Sequence, residues 1–139
     1  MKKFFSIFIL VIIIAACAKK ERKFELFSPE AFAYTLEKGW ELNLSCQAKG
    51  YELFEHKGQY YSKLTFMIDI KMPDGTIKQN VQSGKLEQLA KEEDSDSQLN
   101  VQIKLDSTYK QGNYLAIINF KDELSGKKLK IDKAFDLSE

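Results

Sequence analysis

Histidine and cysteine are almost missing from this chain: there is one His and there are two Cys in 139 residues. No Ser-His-Asp set is recognisable around the lone histidine, and no Cys or His spacing of the kind zinc needs occurs. A glycine-rich phosphate loop is absent as well. Charge of one sign is also lacking. Lys and Arg number 21 against 20 Asp and Glu, a formal net charge of +1, which offers no basic field for nucleic acid. No βα unit repeats, which argues against a parallel α/β sheet. The expectation from these absences is a chain that is not an enzyme, with no catalytic residue, no metal site and no cofactor.

What is present begins at the N-terminus. Lys2 and Lys3 precede an apolar run from Phe4 to Ala16, broken only by Ser6. These 13 residues fall short of the roughly 20 that a helix needs to cross a bilayer. A basic start with a short apolar run suits a secretory signal instead. The run ends in Ile14-Ala15-Ala16-Cys17. This ending resembles the lipobox of bacterial lipoprotein precursors: a branched apolar residue, two small residues, then cysteine. The resemblance implies cleavage between Ala16 and Cys17 after diacylglyceryl transfer to the Cys17 sulfur, and permanent anchoring by palmitate-like acyl chains. Ala18 is not the aspartate that marks inner-membrane retention in some two-membrane bacteria. The implied location is therefore the periplasmic face of the outer membrane, with the outer face of the cytoplasmic membrane as the alternative. Loss of Lys2 and Lys3 with the signal would turn the formal charge from +1 to −1.

Residues 18–23, Ala-Lys-Lys-Glu-Arg-Lys, read as a short polar tether. Ser28-Pro29-Glu30 carries the signature of a helix start, but Gly39 follows so soon that a single turn or an irregular first strand is expected. From Trp40 the period becomes two. Trp40, Leu42, Leu44, Cys46 and Ala48 alternate with polar residues, the mark of a half-buried strand. Gly50 then shifts the apolar phase, as a bulge would. Tyr60 to Met72 alternates again and stops at Pro73-Asp74-Gly75, a turn. Ile77 and Val81 suggest a short strand, Leu86 to Ala90 is strand or a turn of helix, and Lys91 to Ser97 is a charged loop. Leu99 to Leu105, the nearly all-apolar Tyr114 to Phe120, and Leu129 to Leu137 complete the set, with Lys133 breaking the last apolar face near an edge.

About seven strands with turns at this spacing give an all-β fold, an antiparallel two-sheet sandwich. The stretch from Leu105 to Tyr114 resembles the tyrosine corner of immunoglobulin-like and fibronectin-like sandwiches. The resemblance implies that Tyr114, at the start of the penultimate strand, bonds back to upstream backbone. Trp40 precedes Cys46 in one strand, so the Cys…Trp…Cys spacing of antibody domains is absent. The organisation expected is a signal peptide over 1–16, lipidated Cys17 with a short tether over 17–26, and an immunoglobulin-like β-sandwich over 27–139.

The chemical candidates are few. His56, in Glu55-His56-Lys57-Gly58, would need partners to act as a base or ligand and is assigned to a surface turn. Cys46 shares the apolar phase of its strand, so it is read as a small buried hydrophobe and not a reactive thiol. Asp94 and Asp96 lie at alternate positions in an acidic loop that lacks the glycine and distal glutamate of a calcium loop. Tyr51, Phe54, Tyr60 and Tyr61 bracket a hairpin, where they form either a recognition patch or cross-strand packing. The expected function is a cell-envelope lipoprotein held to the membrane by its lipid, acting as a protein-interaction or structural module with an envelope protein as partner. A small-ligand or calcium-binding periplasmic lipoprotein is the alternative.

The anchor is directly testable. Cys17→Ser should leave the full-length precursor, unlabelled when cells are grown with radioactive palmitate. Continued incorporation of label would refute the lipobox assignment.

Overall fold

The computed structural model describes residues 22–90 and 96–139. The expected signal peptide, Ala16, Cys17, most of the tether and Glu92 to Asp94 lie outside the described residues.

Eight strands form: β1 (Glu25–Thr35), β2 (Trp40–Lys49), β3 (Phe54–His56), β4 (Gln59–Lys71), β5 (Ile77–Ala90), β6 (Ser97–Leu105), β7 (Gly112–Asp122) and β8 (Lys128–Leu137). Sheet A has the order β1-β2-β6. Sheet B runs β3-β4-β7-β8, with β5 on the other side of β4. All pairings are antiparallel. The two sheets face each other, and β1 lies against β8 where they meet along one side. This is an antiparallel two-sheet immunoglobulin-like sandwich.

The alternation of β2 dictates the layering. Leu42, Leu44, Cys46 and Ala48 are essentially sealed from solvent, and Trp40 is buried beside them. They meet Leu64, Ile68 and Ile70 of β4 and Ala116, Ile118 and Phe120 of β7, with Leu99, Ile103 and Leu105 of β6 completing the layer. Each fully buried aliphatic side chain contributes about 1.5–3 kcal/mol, so this shared layer holds the two sheets together. β7 is central in sheet B, which accounts for its near-continuous apolar sequence: even its outward Leu115 and Ile117 are half-buried.

Three local expectations resolve in the structure, the first as the irregular first strand. Ser28-Pro29 starts no helix. It forms a bulge in β1 between Phe27 and Glu30, with Ser28 at φ 50. Pro29 cannot donate to a ladder, and an edge strand with a bulge is where that is tolerated. Residues 77–90 form one long strand, not fragments. Its apolar pattern is faint because β5 is an edge strand, paired with β4 alone. A kink at Asn80 (φ 51) is held by the Asn80 N–H donating to Asp69 Oδ1 at 2.8 Å. Gly50 (φ 73) ends β2 where the chain passes close to Lys23. A Cβ there would collide with the Lys23 carbonyl. The extra strand beyond the expected seven is the three-residue β3, too short to show a period. Lys133 is exposed on β8, which pairs only with β7 and is an edge.

The far end of the fold is closed by the corner. The Tyr114 hydroxyl donates to the Lys110 carbonyl at 2.6 Å, as its resemblance implied. Its ring stacks on Phe135 at 5.5 Å and lies 6.0 Å from Tyr109. Trp40 Nε1 donates to the Tyr109 carbonyl at 3.1 Å, which ties β2 to the same corner.

Tyr114→Phe should keep the ring and lose one buried hydrogen bond, costing about 0.5–1.5 kcal/mol. Tyr114→Ala should cost about 3–5 kcal/mol, by analogy with other aromatic truncations in cores. Urea denaturation followed by Trp40 fluorescence measures both. An unchanged stability in Tyr114→Phe would contradict the bond to Lys110.

Candidate functional site

The outer face of sheet B and the end of the sandwich from which the N-terminal segment enters hold most of the sequence-nominated residues. Lys57 and Gly58 have positive φ, 51 and 74, as a two-residue hairpin turn of the mirror-image type requires. His56 and Gln59 flank this turn as the last pair of β3 and β4. The His56 ring is exposed and stacks beside Phe54 at 6.3 Å. No hydrogen-bonded acid or base accompanies it among the described residues, in keeping with a turn residue.

Cys46 is 1 % exposed. Burial pushes its thiol above the usual range, against weaker opposing contacts to the Phe27 and Gln47 carbonyls. A thiol held protonated and covered is a poor nucleophile.

The four bracketing aromatics separate. Tyr51 is buried in the core. Its hydroxyl lies 2.9 Å from Ser97 Oγ, which is 3.0 Å from Gln88 Oε1. The Gln88 carbonyl can only accept, so Ser97 donates to it and Tyr51 donates to Ser97. Tyr60 and Tyr61 are half-buried, while Phe54 is 57 % exposed. Phe54 pairs with Tyr61, and Tyr61 with Leu89 on the opposite side. Leu89 is 56 % exposed. An apolar row thus crosses β3, β4 and β5 on the outer face. Sequence spacing found two of its members. Leu89 escaped because the strand containing it has no clear period.

Further along the same face, Met67 floors a groove of about 460 Å³ rimmed by Thr65, Asn119, Lys121, Lys128 and Lys130. Glu123 stands at its end. It accepts from the Thr65 hydroxyl at 2.8 Å and pairs with Lys121 at 3.3 Å, and these two contacts hold its carboxyl below the usual range.

Asp122 is a buried carboxylate that sequence reasoning passed over as part of a turn. It is 1 % exposed. Its Oδ2 accepts from Glu52 N–H at 2.9 Å and Ser125 Oγ at 2.8 Å, and its Oδ1 from Leu124 N–H at 3.1 Å. With its oxygens occupied by donors from two connections, Asp122 fastens the β2–β3 link to the β7–β8 turn. Asp96 is exposed at the start of β6. Among the described residues no three His, Cys, Asp or Glu side chains converge as metal ligands.

No family model matches this chain, and no curated protein is similar to it in sequence. Among solved structures, the fold is similar to part of a family 123 glycoside hydrolase from Clostridium perfringens, at 10% identity and a TM-score of 0.53. The match covers 86% of this chain and 27% of the hydrolase, so the chain spans about a quarter of that protein's length. An immunoglobulin-like protein from Pseudomonas aeruginosa is similar at 12% identity and a TM-score of 0.37, over 85% of this chain and 98% of that one. The hydrolase corrects the expectation that the chain is not an enzyme. A sandwich of this kind is built into a catalytic protein, so a lack of familiar motifs is no ground for excluding catalysis. At this identity the likeness concerns the fold alone.

Two measurements check the site. Cys46 should react with Ellman's reagent at least a hundredfold more slowly in the native protein than in urea. Asp122→Ala should cost about 2–4 kcal/mol, because it removes the common acceptor of the Glu52 and Leu124 N–H groups and the Ser125 hydroxyl. Its urea midpoint should fall well below that of the exposed control Asp74→Ala.

Proposed function

We propose that this chain is a cell-envelope lipoprotein, cleaved between Ala16 and Cys17 and acylated on Cys17, whose sandwich docks a protein partner beside the membrane. The reading is carried by Ile14-Ala15-Ala16-Cys17 at the end of a short apolar run behind Lys2 and Lys3. The periplasmic face of the outer membrane is its proposed location, and the membrane itself is its first partner.

Geometry supports this reading in two ways. Phe24 is already part of the buried core and lies seven residues beyond Cys17. At 3.3–3.6 Å per extended residue, that segment reaches about 25 Å, so the sandwich would work close to the lipid surface. The end at which Phe24 enters is also the end that carries the row Phe54, Tyr61 and Leu89. Exposed aromatic and aliphatic anchors clustered in one row are the kind of surface that dominates binding energy in protein interfaces. A partner docked on it would sit beside the membrane.

A photo-crosslinking amino acid placed at Phe54 or Leu89 in intact cells should yield one discrete adduct with an envelope protein. The same group at Asp74, in the exposed β4–β5 turn at the opposite end, should yield none. Monomer alone at all positions would overturn the docking role without touching the anchor.

A further inference from the structure

Sheet A turns one side to the core and the other to solvent. Its registers place Glu30, Ser45 and Asn100 in one row across the three strands, and Phe32, Asn43 and Gln102 in the next. A shallow depression of about 400 Å³ opens over these two rows, with Phe32 and Glu30 on its β1 side. Tyr34 follows Phe32 on the same face, paired with Glu41.

Two properties of this face are unusual for this chain. First, its middle carries no charge. Between Glu41 and Lys49 the outward residues of β2 are Asn43, Ser45 and Gln47, and those of β6 facing them are Gln102, Asn100 and Gln98. Yet 29% of the chain is charged, and the outer face of sheet B has Lys63, Lys85, Glu87, Lys121 and Lys130 in equivalent settings. Second, two large rings stand in water at its edge. Phe32 is 57 % exposed and Tyr34 60 %. Their neighbours Ala31 and Ala33 are the β1 residues packed against the core, so folding does not require the rings.

We propose that this face binds a neutral glycan. A pyranose has an apolar C–H surface and a rim of hydroxyls, each both donor and acceptor. The exposed Phe32 and Tyr34 rings offer flat apolar surfaces for the first. Asn43 Nδ2 donates to Glu41 Oε1 at 3.4 Å and Asn100 Oδ1 accepts from Gln98 Nε2 at 3.3 Å, which orients both amides. Their other ends and the Gln102 amide meet the rim of hydroxyls, and Glu30 can accept from a hydroxyl. The sheet supplies a rigid, extended platform suited to a chain of sugars. An anionic ligand would find no cation lining the depression among the described residues and would meet Glu30. An apolar peptide would cover the Gln102 amide and the second ends of the Asn43 and Asn100 amides without pairing them, at a cost of the kind that burial of polar groups carries. The surface therefore matches a hydroxyl-rich uncharged ligand better than either. The proposal holds whether or not Cys17 is acylated.

The test is affinity electrophoresis of the full chain in a sugar-free detergent, lauryldimethylamine oxide, through gels containing hydroxyethylcellulose, glycol chitin, mannan or dextran, with heparin as the anionic polymer. Retardation is expected in at least one neutral polysaccharide. Apparent affinity should fall roughly tenfold in Phe32→Ala and Tyr34→Ala, the scale of one lost ring contact, and by a smaller factor in Gln102→Ala. Phe54→Ala, which removes an equally exposed ring from sheet B, should leave it unchanged. All four side chains are exposed, so melting temperatures should stay at the wild-type value. No retardation in any neutral polymer, retention by heparin alone, or loss in Phe54→Ala without loss in Phe32→Ala would each overturn the proposal.

Discussion

Everything in this fold depends on one row of side chains, Trp40 to Ala48, having somewhere apolar to go. On β2 alone that row would be a stripe of exposed hydrophobes. Covering it requires a second sheet, and β4 and β7 supply one with their own alternating rows. Because a strand's side chains alternate between faces, burying one row also fixes which residues point to solvent. The outer surfaces of both sheets are therefore set by the same constraint that makes the core.

The ends of the sandwich need a different device, since backbone leaving a sheet loses its ladder partners and must find others. At one end Tyr114 bonds back to Lys110 while Trp40 caps Tyr109. At the other, Asp122 gathers donors from two separate connections. The Trp40–Tyr109 and Asp122–Glu52 bonds join residues distant in sequence. Gly39 (φ 89) belongs to this scheme too. The chain passes so near the Leu105 carbonyl that a Cβ would collide with it, which lets Trp40 enter the core directly after the turn.

With core and ends accounted for, the two outer faces differ in chemistry. Sheet B is charged, with an apolar row and a lysine-rimmed groove. The middle of sheet A is an uncharged amide field, edged by two exposed rings and Glu30. The two faces point in opposite directions and do not compete for space. Neither face carries a familiar motif, and the similar fold within a glycoside hydrolase is a reminder that sandwiches serve catalytic proteins as well as binding ones.

The amino-acid order alone determined which strands would be half-buried, that Cys46 would be inert, and that Tyr114 would form a corner. The first two follow from local period, which a sequence displays directly, and the corner is what the resemblance of the stretch from Leu105 to Tyr114 implies. It also carries the apolar leader and Cys17 on which the proposed anchor rests. Only the tertiary structure decided the rest. Pro29 could be a helix start or a bulge until β1 was seen to be an edge. Leu89 joined Phe54 and Tyr61, and Phe32 joined Asn43 and Gln102, only through register. Asp122 gained one of its partners, the Glu52 N–H, from a loop some seventy residues away. Pairing between distant strands is set by the summed burial of whole faces, and no short stretch of sequence contains that sum.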